Sequence, residues 1–347
     1  MQHGGGKLYK AIKFTFIFLL LAVSAFAGSV TIGTGNSSFT VGTGNSAITI
    51  GPPPAFRFEV KTVAADTFQL PLIVSGTYDF NVDWGDSSES DITVYNHADT
   101  NHSYSGAGTY DVVITGTLTG WAFANVGDKL LIYDVSEWGP FKPGNSGEWF
   151  YGSANLTCSA TDSFNTTGVT TMASAMRGCT SLNYLNTSNW DTSNVTDMNC
   201  MMKDWHSMTS PPDLSNFDTS KVTAMYTMMY DWRSMTSPPD LSSFDTSKVT
   251  IMSYMMFFWN SMTIGDIGVK NFDLTSATNM SFFASSSTFT VAAYDEILIS
   301  YAAQIPIPNN FTITFGYSKY TPGGAAETAR SALAADGITI QDGGPDI

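Results

Sequence analysis

The chain has 347 residues, of which only 13% are charged, and a formal net charge of -15. That length exceeds the usual ~100–200 residues of one domain, so several folding units or an extended repeat array are predicted. The acidity excludes a nucleic-acid partner, because phosphate binding needs a basic groove and the sequence contains no basic cluster beyond its N-terminus.

Residues 1–27 read as an export signal. Lys7, Lys10 and Lys13 give a positive start, FTFIFLLLAVSAFA gives the apolar run, and Ala25-Phe26-Ala27 before Gly28 fits small-x-small cleavage. The apolar run is shorter than the ~20 residues that span a bilayer, so cleavage rather than anchoring is predicted. No later segment is long and apolar enough to span, so the mature chain is predicted to be extracellular or on a cell surface. Cys158, Cys179 and Cys200 do not make a disulfide framework, which needs an even and denser set.

Residues 28–55 form a Gly/Thr/Ser/Pro-rich spacer in which TIGTGNS recurs as TVGTGNS, ending in Pro52-Pro53-Pro54. From Phe56 apolar residues alternate, with turns at short intervals, the pattern of a β-sandwich over 56–118. Within it, Trp84-Gly85-Asp86, His102-Ser103-Tyr104 and Gly108-Thr109-Tyr110-Asp111-Val112 resemble the PKD-type immunoglobulin-like domain, departing at Ser87 where that family has Gly. Asp83, Asp86, Glu89 and Asp91 lack the spacing of an EF-hand calcium loop, so Asp83 and Asp86 read as turn carboxylates that accept backbone N–H bonds. His102 reads as a strand histidine without a nucleophile beside it.

Residues 119–164, with Trp121, Trp138 and Trp149, are predicted to connect the sandwich to an array over 165–283. Asn165, Asp191, Asp218, Asp245 and Asp273 start successive units at steps of 26, 27, 27 and 28 residues. Four places on stand Val169, Val195, Val222, Val249 and Ala277, and seven on stand Met172, Met198, Met225, Met252 and Met280. The rhythm of Val222, Met225, Met228, Met229 and Trp232 predicts one face of a short helix, followed by a short strand, in each unit. A unit that cannot bury its own apolar face must stack on its neighbours. The units DTSKVTxMxxMM and DLSNFDTS resemble the repeats of BspA-like leucine-rich-repeat surface proteins, with Pro211-Pro212 and Pro238-Pro239 in place of a strand leucine. That resemblance implies a multidomain chain: an Ig/PKD-like β-sandwich, then an α/β leucine-rich-repeat-like solenoid. Residues 284–347 read as helix, strand, helix, strand, a C-terminal α/β cap over the last unit.

The methionine stripe reads as core filler. Trp205, Trp232 and Trp259 suggest a sugar-stacking row, although they share a column with Cys179, which points to a partly buried one. Asp191, Asp218 and Asp245 are close enough in sequence phase to suggest a carboxylate pair or a metal bridge, but nothing singles out one pair, and Asp before Thr-Ser is ordinary turn chemistry. No catalytic residue, metal or cofactor is therefore assigned, and an enzyme is not expected. The predicted function is adhesion to, or recognition of, a protein or glycan on a host or neighbouring cell. The predicted contacts are Thr219, Lys221, Thr246 and Lys248 on the exposed repeat face, together with Trp205, Trp232 and Trp259. The alternative is a spacer or fibre component of a surface layer without a soluble ligand.

Overall fold

The structure is a computed structural model that describes residues 53–347 in full, together with the backbone of 39–41 and 48–50. The export signal at 1–27 and most of the spacer lie outside the described residues. Within the N-terminal unit, Met1–Pro54, strands β1 (Phe39–Val41) and β2 (Ile48–Ile50) pair antiparallel, Phe39 opposite Ile50.

Residues Ala55–Ile347 form one compact unit with a single continuous hydrophobic core. It begins with β3 (Phe56–Thr62), β4 (Asp66–Gln69), β5 (Leu72–Asp83), β6 (Glu89–Ile92), β7 (Asn101–Tyr104), β8 (Gly108–Trp121), β9 (Ile132–Glu137) and β10 (Thr157–Cys158). Six of these make a sheet in the order β10-β9-β3-β8-β5-β6, antiparallel except at β10 and β9, while β4 and β7 pair as a separate ribbon. In β3, Phe56, Phe58 and Val60 point inward while Arg57, Glu59 and Lys61 point outward, so a strand is the conformation that buries the aromatic set. The ribbon packs on the sheet through Phe58 against Phe68 and Tyr104 stacked on Tyr110 at 4.0 Å. Asp83 and Asp86 accept the N–H of Gly85 and Ser88, each at 3.0 Å. His102 lies flat on Trp84, its Nε2 2.8 Å from Asp86 Oδ2.

The sheet grows directly into the repeats. At the end of β8 and just beyond it, Trp121, Phe123 and Asn125 donate to the carbonyls of Pro143, Trp149 and Tyr151; Glu148 and Phe150 then donate to Ala173 and Ala175. The same exchange runs from Ser174 to Asn199, Cys200 to Tyr226, Thr227 to Ser253 and Tyr254 to Ser281. Single parallel bridges link Thr171, Asp197, Ala224, Ile251 and Asn279 in turn.

An α/β leucine-rich-repeat solenoid is not what the chain forms. The fold is β-rich, and its α-helices among the described residues are α1 (Val291–Ala302) and α2 (Ala325–Ala335), both outside the repeats. The reason lies in where the amides go. Val222, Met228, Tyr230 and Met235 close tight turns onto Thr219, Met225, Thr227 and Trp232, three residues back. The intervening amides of Met225, Thr227, Met229 and Asp231 donate instead to the next unit. Left-handed backbone at Thr227 (φ 49°) and Asp231 (φ 64°) also breaks any helix. Val222, Met225, Met228, Met229 and Trp232 are all fully buried. The three-residue rhythm is thus that of successive turns folding inward, which helix periodicity imitates.

The C-terminal segment adds β11 (Thr263–Ile264) and β12 (Thr288–Phe289), parallel to each other, then α1, β13 (Thr312–Thr314), α2 and β14 (Thr339–Gln341). Thr290 caps α1 by accepting from the Ala293 N–H, and β13 pairs parallel with β14 while accepting Ala284 from the last repeat.

Candidate functional site

Two columns of carboxylates or amides shape every unit. Asn165, Asp191, Asp218, Asp245 and Asp273 each accept the backbone N–H two residues on, at 2.8 to 3.0 Å. Asn186, Asp213 and Asp240 do the same at the opposite turn. Hydrogen bonds from Ser193, Ser220 and Ser247 hold Asp191, Asp218 and Asp245 below the usual carboxylate range. Ionised alike, with the same partner in each unit, they are turn carboxylates without the contrast that acid/base work requires.

Behind them runs a column of buried threonines. Thr219 Oγ1 donates to the Asp245 carbonyl at 3.0 Å and accepts the Asp245 N–H at 2.8 Å. Thr246 makes the same pair with Asp273, and both residues are 1% exposed. Neither hydroxyl faces solvent, so Thr219 and Thr246 are not surface contacts. Trp205, Trp232 and Trp259 are also fully buried, stacked at 5.7 and 5.6 Å, with their N–H groups donated to Met176, Met202 and Met229 carbonyls. An indole satisfied and covered in this way presents no face to a sugar. Lys221 and Lys248 are exposed; Lys221 Nζ donates to Asn194 Oδ1 of the preceding unit at 2.8 Å.

The surface that the sequence reading missed lies on the turns that follow Val222, Val249 and Ala277. Tyr226, Tyr230, Tyr254, Phe257, Phe258 and Phe282 touch one another across three units yet remain outside the buried core. Tyr226 and Phe282 are 41% and 45% exposed. Tyr254, Phe258 and Phe282 hold left-handed backbone, φ 57°, 62° and 56°. Their counterparts in earlier units are Ser174, Cys200 and Thr227, or Gly178, Asp204 and Asp231, which suit that conformation better or carry less bulk. A bulky ring at such a φ is disfavoured by about 1–3 kcal/mol, and partial burial does not explain three of them. The signal in the sequence is the run YMMFFW at 254–259, where rings replace small or polar residues of the same columns.

Beside the rings lies a charged cluster. Lys203 Nζ sits 3.6 Å over the Tyr230 ring and 2.9 Å from Asp204 Oδ1. His206 Nε2 is 3.0 Å from Asp231 Oδ2, and Arg233 donates to both Asp231 oxygens. Burial works against the Asp231 carboxylate, but Arg233 and His206 outweigh it and hold its pKa below the usual range. Two clefts of the array lie elsewhere, at the proline turns. One of about 510 Å³ is lined by Pro238, Pro239, Asp240, Asp266 and Lys270, and one of about 340 Å³ by Tyr184, Pro211, Pro212 and Asp213. Proline offers no N–H to a neighbouring unit, which leaves these seams open.

No helix among the described residues is long and apolar enough to cross a membrane. No curated protein and no solved structure matches the chain. Residues 144–264 and 212–295 match the family DUF285, described as a Mycoplasma protein of unknown function. That similarity falls on the repeats and supports reading the chain as a BspA-like surface protein.

Proposed function

We propose that the chain is a non-enzymatic recognition protein of a cell surface or its surroundings, which engages a protein or glycan partner through the aromatic side of its repeats. The observation that carries this reading is the set of partly exposed rings at Tyr226, Tyr254, Phe258 and Phe282, three of them on disfavoured left-handed backbone. Contiguous exposed apolar surface of this kind marks an interaction site, and aromatic anchors dominate binding energetics. The uniform turn role of the aspartates supports binding rather than catalysis.

The test uses labelled protein on intact cells, matrix proteins and a glycan panel, comparing wild type with Tyr226→Ser/Tyr254→Ser/Phe282→Ser and with Lys221→Ala/Lys248→Ala. Saturable binding lost in the aromatic triple variant and kept in the lysine double variant is the expected result. Loss only in the lysine variant moves the contact to the other face. No binding by the wild type favours an assembly role.

A further inference from the structure

One step of the stack brings three ligating side chains together. Asp204 and Asp231 hold the same place in successive units, both with left-handed backbone (φ 66° and 64°). The Asp204 amide donates to Tyr230 at 2.9 Å and the Asp231 amide to Phe257 at 2.8 Å, so both carboxylates leave fixed positions. His206 follows Asp204 by two residues, and its backbone N–H donates to the Asp204 carbonyl at 3.1 Å. One oxygen of each carboxylate and one ring nitrogen of His206 all lie within 4.8 Å of one another. The arrangement belongs to this step alone among the described residues. The aspartate place is Gly178 one unit earlier and Phe258 one unit later, and the histidine place is Thr180, Arg233 or Asn260 elsewhere.

We propose that Asp204, His206 and Asp231 form a binding site for a divalent first-row transition metal of the zinc type. Two carboxylate oxygens and one imidazole nitrogen would supply three of the four ligands of a tetrahedral site, with water as the fourth. The imidazole selects against calcium and magnesium, which take more oxygens. Lys203 on Asp204 and Arg233 on Asp231 are the counter-cations that the metal replaces. The Arg233 side chain is 56% exposed and can leave Asp231 for solvent, while Lys203, 17% exposed, keeps the Tyr230 ring beneath its ammonium when it leaves Asp204. A doubly charged ion near both carboxylates gains Coulomb attraction from each of them. The site stands on different residues from the aromatic surface and does not depend on that surface having a partner.

The test is calorimetric titration of the full chain with zinc chloride at pH 7. Saturable 1:1 binding is expected. Loss of a ligand in His206→Ala or Asp231→Asn should weaken it by more than the ~10-fold typical of an outer-shell partner. Arg233→Ala, which removes a competing cation, should tighten it about two- to fivefold, the worth of an exposed ion pair. Cys200→Ser, which removes a half-exposed thiol elsewhere in the array, should leave affinity unchanged. Should Asp231→Asn fail to fold, His206→Ala decides, since that ring is 30% exposed. No saturable binding, binding that survives His206→Ala, or weaker binding in Arg233→Ala overturns the site.

Discussion

Replacing Thr219 by Val separates a structural hydroxyl from a surface one. Valine keeps the shape and removes two hydrogen bonds, the one donated to the Asp245 carbonyl at 3.0 Å and the one accepted from its N–H at 2.8 Å. Each bond contributes about 0.5–1.5 kcal/mol net, and leaving both backbone groups unpaired adds a desolvation penalty near the low end of ~1–3 kcal/mol, because Asp245 reaches solvent. The added buried methyl offsets about 0.8 kcal/mol. The expected loss is about 2 kcal/mol. Thr223→Val is the matched control: its hydroxyl donates to the Thr196 carbonyl, which also receives the Thr223 N–H at 2.9 Å, so no backbone group is orphaned. Its effect should stay within about 0.5 kcal/mol. Urea unfolding of both variants, followed by fluorescence of the buried tryptophans, measures the difference. Equal effects, or a Thr219→Val change below 0.5 kcal/mol, would show that the threonine column does not hold the units together.

Trp232→Ala should destabilise by about 3–5 kcal/mol, because the ring is fully buried between Trp205 and Trp259 and its N–H is satisfied, whereas Trp232→Phe should lose much less; thermal melts of both variants check this. Acid should act through the turn carboxylates. Asp191, Asp213, Asp218 and Asp245 are held below their usual 3.8 in the folded chain, first by the side-chain hydrogen bonds of Ser193, Ser215, Ser220 and Ser247. Folded values below unfolded ones stabilise the fold above about pH 4, and that stability is lost as pH falls through the folded values. The urea midpoint should therefore not respond to these groups from pH 7 to 5 and should drop below 4, less steeply in Ser193→Ala/Ser220→Ala/Ser247→Ala; an identical acid limb in that variant contradicts the assignment. Phe258→Gly relieves a left-handed backbone while removing a half-exposed ring, so its melting free energy should lie within about 1 kcal/mol of wild type while partner binding falls. A large loss of stability would make Phe258 a core residue instead.

Much of the repeat geometry was legible in the one-dimensional pattern. The columns led by Val195, Met198 and Asp191 recur in register, and each position meets its counterpart one unit away, because a stack with near-constant period turns sequence phase into spatial alignment. The helix-strand-helix-strand order of the C-terminal segment was legible for a similar reason: helix contacts are local. What the pattern left open was the conformation inside a unit, since inward-facing residues three apart serve successive turns as well as a helix. Only the neighbouring unit, by accepting every second amide, decides between them. Exposure was likewise a tertiary matter. Thr219 and Trp232 look like surface contacts by residue type and are covered by the next unit, whereas Tyr254 and Phe282 look like core by residue type and stand half-buried and exposed. The sequence by itself determined the period and which columns are apolar; the stacking of one unit on the next decided which polar groups are buried and which rings face solvent, because both depend on contacts made between residues 25 to 30 positions apart.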